Sequence, residues 1–124
     1  MASRHEIIKD RVILDWTQEG KGRLFSSSQA MATPIGSDHP VWFGPMSRKA
    51  SKGWPDLYGY EWIDGTPVFC TVEVKTINDG IKPDQKKKMN ILTRHGCRCY
   101  VAQEREEGGY LLIRYEGEKW HGSN

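Results

Sequence analysis

Long apolar runs are missing from this sequence, since no stretch approaches the roughly 20 residues that cross a bilayer as a helix. The first residues, MASRHEIIKDRV, lack the apolar segment of a secretory signal. Repeats and low-complexity linkers are missing as well. Five Trp, five Tyr and three Phe supply large side chains for one core. We therefore expect a cytosolic protein with no membrane partner, folded as a single domain over residues 1–124.

Cysteine is scarce, and its pattern argues against a disulfide framework. Cys70, Cys97 and Cys99 are odd in number and contain no paired C-x-x-C motif. A zinc site that also uses His95 and His121 would need ligand spacing unlike that of zinc fingers. We predict three reduced thiols.

A strong excess of charge is missing too, because 18 Lys and Arg against 16 Asp and Glu give a formal charge of +2. The charge is unevenly distributed. Ten basic and six acidic residues lie between Met46 and Arg98, a local charge of +4, and the rest of the chain carries −2. Such a local basic surface can attract a phosphate backbone. The alternative is that the lysines at 86–88 form only a solvated helix face.

Three apolar residues, Ile8, Val12 and Trp16, recur every four positions near the N-terminus. This spacing predicts an amphipathic helix from His5 to about Gln18, which would cover a sheet.

Strand signals follow the first helix. A first strand is expected around Leu24 to Ser28, and Pro34 to Ser51 is rich in Gly, Pro and Ser, which predicts a long loop. Leu57 to Trp62 and Val68 to Lys75 are rich in aromatic and β-branched residues. The favoured turn Asp64-Gly65 between them predicts an antiparallel hairpin.

The hairpin brings two acidic residues together. A loop centred on Asp64-Gly65 places Asp56 directly opposite Glu73, unless Pro67 provokes a bulge and shifts the register by one residue. Two facing carboxylates repel, and a divalent cation between them would turn repulsion into coordination. Oxygen ligands favour Mg²⁺ or Mn²⁺ over zinc.

Lys75 lies on the same polar face of the second strand as Glu73, because alternate residues point to opposite faces. Taken separately, Asp56 could be a turn residue after Pro55, and Glu73 with Lys75 an exposed ion pair. Their predicted juxtaposition favours a metal site.

A second helix is predicted to begin at Pro83 and end at Gly96. Gln85 shares a stripe with Met89 and Leu92, so it points toward the sheet. A polar side chain on a buried stripe usually has a hydrogen-bond partner.

Three segments, GWPDL at 53–57, VEVKT at 72–76 and DQKKKMNILTRHG at 84–96, resemble the virus-type replication-repair (VRR-NUC) nuclease family of the PD-(D/E)XK superfamily. The resemblance runs from about Phe43 to Ala102, with a weaker match in the first helix. It implies an α/β domain of the restriction-endonuclease-like fold, in which a mixed central sheet with an antiparallel hairpin is flanked by helices.

The resemblance also implies roles for individual residues. Asp56, Glu73 and the backbone carbonyl of Val74 would hold Mg²⁺ or Mn²⁺, and no small-molecule cofactor is expected. Lys75 would orient the attacking water or offset charge on the phosphate. Glu6 resembles an acid directed toward a second metal position, although acids near a helix N-terminus are also favoured by the helix dipole.

For Gln85 the resemblance suggests a partner in Lys75 or the attacking water; the alternative is that Gln85 only closes the start of its helix. Arg48, Lys49 and Lys52, in the loop before Asp56, would bind the phosphate backbone of DNA and guide it to the metal; the alternative is a loop that only keeps the domain soluble. Lys86 lies on the outer arc of the second helix and would contact DNA that wraps around the domain or that is held by a second subunit.

The resemblance implies a metal-dependent DNA endonuclease of bacteria or phage-infected cells that forms a homodimer and cuts branched DNA, such as four-way (Holliday) junctions. Its dimer interface is expected at Trp42, Phe43 or the strand Tyr110 to Tyr115, unless that strand only completes the sheet. Alternatives are a restriction-type enzyme, a single-strand or flap nuclease, and a catalytically silent DNA-binding module.

Overall fold

The computed structural model describes residues 3–27, 30–32, 36, 38, 41–43 and 53–117. Neither helix in these ranges is long and apolar enough to span a membrane. The described part of the chain contains two helices and seven strands: α1 (Arg4–Gln18), β1 (Gly22–Ser26), β2 (Ala30–Ala32), β3 (Val41–Phe43), β4 (Leu57–Ile63), β5 (Thr66–Lys75), α2 (Pro83–Arg94), β6 (Arg98–Glu104) and β7 (Tyr110–Tyr115).

The first helix forms where the apolar spacing predicts it. Ser3 caps its N-terminus by accepting a hydrogen bond from the backbone N–H of Glu6 at 3.1 Å. Ile8, Val12 and Trp16 are all buried. The four-residue spacing therefore marks the face of α1 that packs on the sheet.

Five strands form the main sheet, in the order β1-β4-β5-β6-β7. The first three pair antiparallel, β5 pairs parallel with β6, and β7 pairs antiparallel with β6 at an edge of this sheet. A parallel pair needs a crossover connection, which α2 provides. The predicted mixed sheet with an antiparallel hairpin and flanking helices is confirmed.

One prediction about the chain after β1 is wrong. The region Pro34 to Ser51, expected to be a long loop, contains β3, which pairs antiparallel with β2 in a separate two-stranded sheet. Val41, Trp42 and Phe43 are β-branched or aromatic residues that favour strands. The Gly, Pro and Ser residues on both sides of these three residues favoured the prediction of a loop.

Helices cover both faces of the central strands. On the α1 face, Trp16 packs edge-to-face on Tyr100 and donates its indole N–H to the Tyr60 carbonyl at 3.2 Å. The buried residues of this face include Ile8, Val12, Leu24, Leu57, Cys70, Val72, Val74 and Ala102. The smaller core on the α2 face consists of Ile81, Met89, Cys99, Val101 and Tyr115.

The three cysteines are free thiols, as predicted. Cys70 and Cys99 are fully buried, and Cys97 is partly exposed. Burial raises the pKa of the Cys70 thiol to about 12, so this thiol is uncharged and unreactive at neutral pH.

The register of the β4–β5 hairpin decides whether the two acidic residues meet. Leu57 pairs with Val72, and the ladder runs without a bulge to Ile63 opposite Thr66. Pro67 is accommodated opposite Trp62. Extending the ladder by one residue places Asp56 opposite Glu73, as the position of the turn predicts.

Candidate active site

A short loop places Asp56 at the start of β4. Gly53 has a φ of +79°, and a Cβ at this position would lie 2.6 Å from the backbone oxygen of Asp84. Only glycine fits so close to the first turn of α2. The loop before Asp56 is thereby packed against the helix that carries Gln85.

Backbone and side-chain hydrogen bonds hold Asp56 from several directions. Its Oδ2 accepts a hydrogen bond from the backbone N–H of Val74 at 2.8 Å, which ties the carboxylate to β5. The same oxygen lies 3.2 Å from Nε2 of His5 in α1. The backbone oxygen of Asp56 accepts from the N–H of Ser27 at 2.9 Å. Its orientation is therefore fixed before any ligand binds.

Glu73 and Lys75 are buried, with 3% and 2% exposure, and Thr71 on the same face has 0%. The predicted polar face of β5 is therefore covered at this end of the strand. The reason is that α2 and the loop before it cover these residues. Because both side chains are buried, the alternative of an exposed ion pair is excluded. The distance between Lys75 Nζ and Glu73 Oε1 is 4.0 Å, so the two groups form a buried ion pair.

Gln85 joins the two buried charges. Its Oε1 accepts from Lys75 Nζ at 2.7 Å, and its Nε2 donates to Glu73 Oε1 at 3.3 Å. The same Oε1 accepts the backbone N–H of Lys82 at 2.9 Å. Gln85 thus contacts Lys75, as the resemblance implies, and it closes the start of α2 as well, so the alternative that it only closes the helix is wrong.

Asp79, in the loop between β5 and α2, is a further acidic neighbour. Its Oδ2 lies 3.6 Å from Lys75 Nζ, and its side chain is 38% exposed. The ammonium group of Lys75 therefore has acidic or amide oxygens on several sides, as a buried polar group requires.

The carboxyl group of Glu73 lies in an environment that disfavours its ionised form. With both carboxyl groups ionised, its Oε2 is buried and has no hydrogen-bond partner among the described residues, whereas a proton on Glu73 would allow a hydrogen bond to Asp56. The neighbouring Thr71 Oγ1 is also buried without a described partner. Burial raises the pKa of Glu73 well above its usual value, the facing charge of Asp56 raises it further, and Lys75 opposes both effects. The ammonium group of Lys75 therefore does not fully offset the burial of Glu73 and the facing charge of Asp56.

A divalent cation fits this donor set. Asp56 and Glu73 supply carboxylate oxygens from opposed strands, and the unpartnered Oε2 of Glu73 would gain a partner. Val74, whose carbonyl is the predicted third ligand, lies between Glu73 and Lys75. Among the described residues no cluster of three or more His, Cys, Asp and Glu side chains forms a metal site, so backbone or water oxygens would complete the coordination.

Glu6 is directed elsewhere in this structure. Its Oε1 forms an ion pair with Lys9 Nζ at 2.9 Å, and its side chain is 47% exposed. The role of Glu6 at a second metal position stays a prediction. The adjacent residue, His5, is the one that contacts Asp56.

Of the predicted DNA-binding residues, Arg48, Lys49 and Lys52 lie outside the described residues. The chain leaves the main sheet beside the site, because Ser27, directly after β1, donates its Oγ to the backbone oxygen of Pro55 at 2.6 Å. Lys86 is partly exposed on α2. Its contact with DNA stays a prediction.

His5 and Asp79 are the site residues that sequence reasoning missed. Asp79 lies four residues after Lys75, a short separation that could have indicated contact across a turn. His5 directly precedes Glu6 at the start of α1. Arg4 pairs with Glu104 at the end of β6, at 2.9 Å, and so holds this helix start beside the site.

Comparison with known proteins assigns the sequence that forms this site to a family. No curated protein gives a significant match. The VRR-NUC domain matches residues 9–106, a range that includes Asp56, Glu73, Lys75 and Gln85 but begins after Glu6. Two helices flanking a five-stranded mixed sheet agree with the restriction-endonuclease-like fold of such domains. Since the match covers more than half of the chain, the chain belongs to the VRR-NUC family, whose members carry a nuclease domain of the PD-(D/E)XK type.

Proposed function

We propose that this protein is a Mg²⁺- or Mn²⁺-dependent endonuclease that hydrolyses phosphodiester bonds in branched DNA. One observation carries the proposal. Glu73 holds a buried carboxylate oxygen without a described partner, opposite Asp56 and beside Lys75. A nuclease domain implies DNA as substrate, and this cluster supplies the donor set for a cation at its centre.

Asp56, Glu73 and the Val74 carbonyl would hold the cation, which, when bound, supplies positive charge against the phosphate and lowers the pKa of water. The chain's own residues do the rest. Val74 N–H and His5 fix Asp56, and Gln85 holds the Lys75 ammonium group in place. Lys75 would orient the attacking water and offset charge that develops on the phosphate.

A catalytically silent module fits these observations less well. Burying Glu73 and Lys75 at 3% and 2% exposure costs free energy of desolvation. A protein that only bound DNA would gain nothing from a buried carboxylate with an unpartnered oxygen. Charges retained at such a cost are typical of functional sites.

Branched DNA and a two-fold homodimer are the finer parts of the proposal. With a formal charge of +2, one small domain has weak non-specific affinity for DNA. Two subunits would double the basic surface, and a two-fold pair matches the approximate symmetry of a four-way junction. β7 completes the main sheet, and Leu111 on this edge strand is 52% exposed, which leaves the strand available as an interface.

The experiment is a cleavage assay on duplex, nicked, flap and immobile four-way DNA, with Mg²⁺, with Mn²⁺ and with EDTA. We expect metal-dependent, symmetrically placed nicks in the four-way substrate and a dimer mass by light scattering. Glu73→Gln should be inactive while retaining DNA binding. A monomer that cuts only flaps or single strands would support the single-strand nuclease instead, and metal-independent cleavage would refute the proposed site.

A further inference from the structure

Five aromatic side chains share one face of the three antiparallel strands. Adjacent strand residues point to opposite faces, and directly paired residues point to the same face. The register pairs Phe25 with Tyr58 and Tyr60 with Phe69. We call this set the aromatic platform; its members are Phe25, Tyr58, Tyr60, Trp62 and Phe69.

The platform is continuous with the candidate active site. Thr71, paired with Tyr58, lies two residues before Glu73 on the same face of β5. Two residues along a strand span about 6.5 Å, so the platform begins one such step from the row of Asp56 and Glu73. It then extends by two further steps toward the hairpin turn.

Much of the platform is exposed to solvent. Phe25, Trp62 and Phe69 are 48%, 50% and 39% exposed, although large apolar side chains in strands are usually buried. Phe25 and Tyr58 have ring centroids 5.9 Å apart, and Tyr60 and Trp62 have centroids 5.5 Å apart. The α2 core of this sheet face lies on β6 and β7, which leaves the rings on β1, β4 and β5 accessible.

The charge on this face suits a nucleic acid. Arg23 is exposed and pairs with Tyr60, so its side chain lies on the same face as the rings. Along β1, β4 and β5, Glu73 is the only acidic residue that points to this face, and it belongs to the active site. The acidic residue of β4, Glu61, pairs with Val68 and points to the α1 face.

We propose that the aromatic platform stacks unpaired bases of the DNA strand whose phosphodiester bond lies at Asp56 and Glu73. This inference rests on the proposed nuclease function and specifies its substrate as DNA with unpaired bases next to the cut. Exposed aromatic residues on a sheet face bind unpaired bases in other nucleic-acid-binding domains. The platform fits such a strand because it lies on the same sheet face as Glu73, one step of two residues along β5.

The test compares aromatic with aliphatic side chains at the same positions. Phe25→Leu with Phe69→Leu keeps apolar bulk but removes stacking, whereas Phe25→Tyr with Phe69→Tyr keeps the rings. Leu14→Ala is the matched control, because it removes exposed apolar surface from the outer side of α1. Binding is measured in EDTA with a single-stranded oligonucleotide containing 2-aminopurine, whose fluorescence is quenched by stacking, and with a fully paired duplex of the same length.

We expect the leucine pair to bind the single strand roughly 5- to 150-fold more weakly, the effect of losing one stacked base. Its affinity for duplex should change little, and the quenching should be lost. The tyrosine pair and Leu14→Ala should behave like the parent. Equal affinity of the leucine and tyrosine pairs for single strands would overturn the proposal, as would parallel losses for duplex and single strand.

A change of oligomeric state in the leucine pair, seen by light scattering, would assign the platform to a second copy of the chain and also overturn the proposal. Failure of the nuclease function itself looks different, because the parent would then cut no DNA with either metal. A parent that cuts DNA, together with a leucine pair that cuts flaps and forks as well as the parent does, would refute the platform alone.

Discussion

The two faces of β5 differ in what they bury. On one face Cys70, Val72 and Val74 pack under α1 among other apolar side chains. On the other face, Thr71, Glu73 and Lys75 are equally buried but polar or charged. Adjacent residues of one strand therefore lie in a largely apolar core and in a cluster of buried charges.

This difference separates stability from function. Burial on the α1 face lowers the free energy of the folded state, and none of the described side chains on this face has a buried polar atom without a partner. Burial on the α2 face leaves Thr71 Oγ1 and Glu73 Oε2 without described partners, which raises the free energy of the folded state. Such local violations of good packing are expected at functional sites.

The largest effect should follow from Lys75→Met, which keeps the unbranched stem and removes the charge. We expect cleavage to fall by roughly 10²- to 10³-fold, because the charge that develops on the phosphate loses a fixed partner. The measurement is the single-turnover cleavage rate at saturating Mg²⁺. Lys21→Met is the control, since it removes the same charge beside Trp16 on the other face. Parent-like cleavage by Lys75→Met would contradict the assignment of this residue.

The next effect is on stability and concerns the α1 face. Leu24→Ala, at a side chain with 4% exposure, should lower the free energy of unfolding by about 2–5 kcal/mol. Denaturant unfolding measures this loss. The cleavage rate per folded molecule should remain that of the parent, because Leu24 has no contact with the site. A rate that falls further than the folded fraction would show that the two faces are not separable.

A smaller effect is expected at the boundary between the faces, where His5 of α1 contacts Asp56. His5→Ala should weaken Mg²⁺ binding by roughly 10- to 100-fold, as for other residues that orient metal ligands. Titration calorimetry of the metal checks this in the absence of DNA. Arg4→Ala is the neighbouring control. Unchanged Mg²⁺ affinity in His5→Ala would show that the contact with Asp56 has no part in the site.

The smallest effect is a pH dependence of the metal-free protein. The pKa of Glu73 is raised from 4.5 in the folded state, chiefly by burial, so the folded protein binds more protons than the unfolded chain. The free energy of unfolding should therefore fall as the pH rises from 4.5 through the folded pKa. Thermal unfolding at several pH values should show this fall in the parent, and Glu73→Gln should show less of it. Equal slopes for both proteins would contradict a proton on buried Glu73.

Local signals predicted much of the fold and the juxtaposition of Asp56 with Glu73. The Asp64-Gly65 turn fixes the register of the hairpin, and the register alone brings Asp56 opposite Glu73. The stripe of Gln85 and Met89 predicted which side of α2 faces the sheet. These features depend on residues close in sequence or joined by one turn.

Features set by packing between distant elements could not be predicted in this way. The contact of His5 with Asp56 depends on the angle at which α1 crosses the sheet, and a periodic apolar pattern does not specify that angle. The burial of Glu73 and Lys75 depends on how closely α2 covers them. Phe25 is exposed because α2 does not extend over β1. Its residue type alone would favour a core position.

Gln85 links the candidate active site to the local stability of one helical turn. It accepts the Lys82 N–H in the first turn of α2 and holds Lys75 with the same oxygen. Helix ends open more easily than whole domains. When this turn frays, Lys75 loses its anchor while the sheet stays folded. We therefore expect the candidate site to have its own opening equilibrium, which amide hydrogen exchange at Lys82 and Lys86 would report separately from global unfolding.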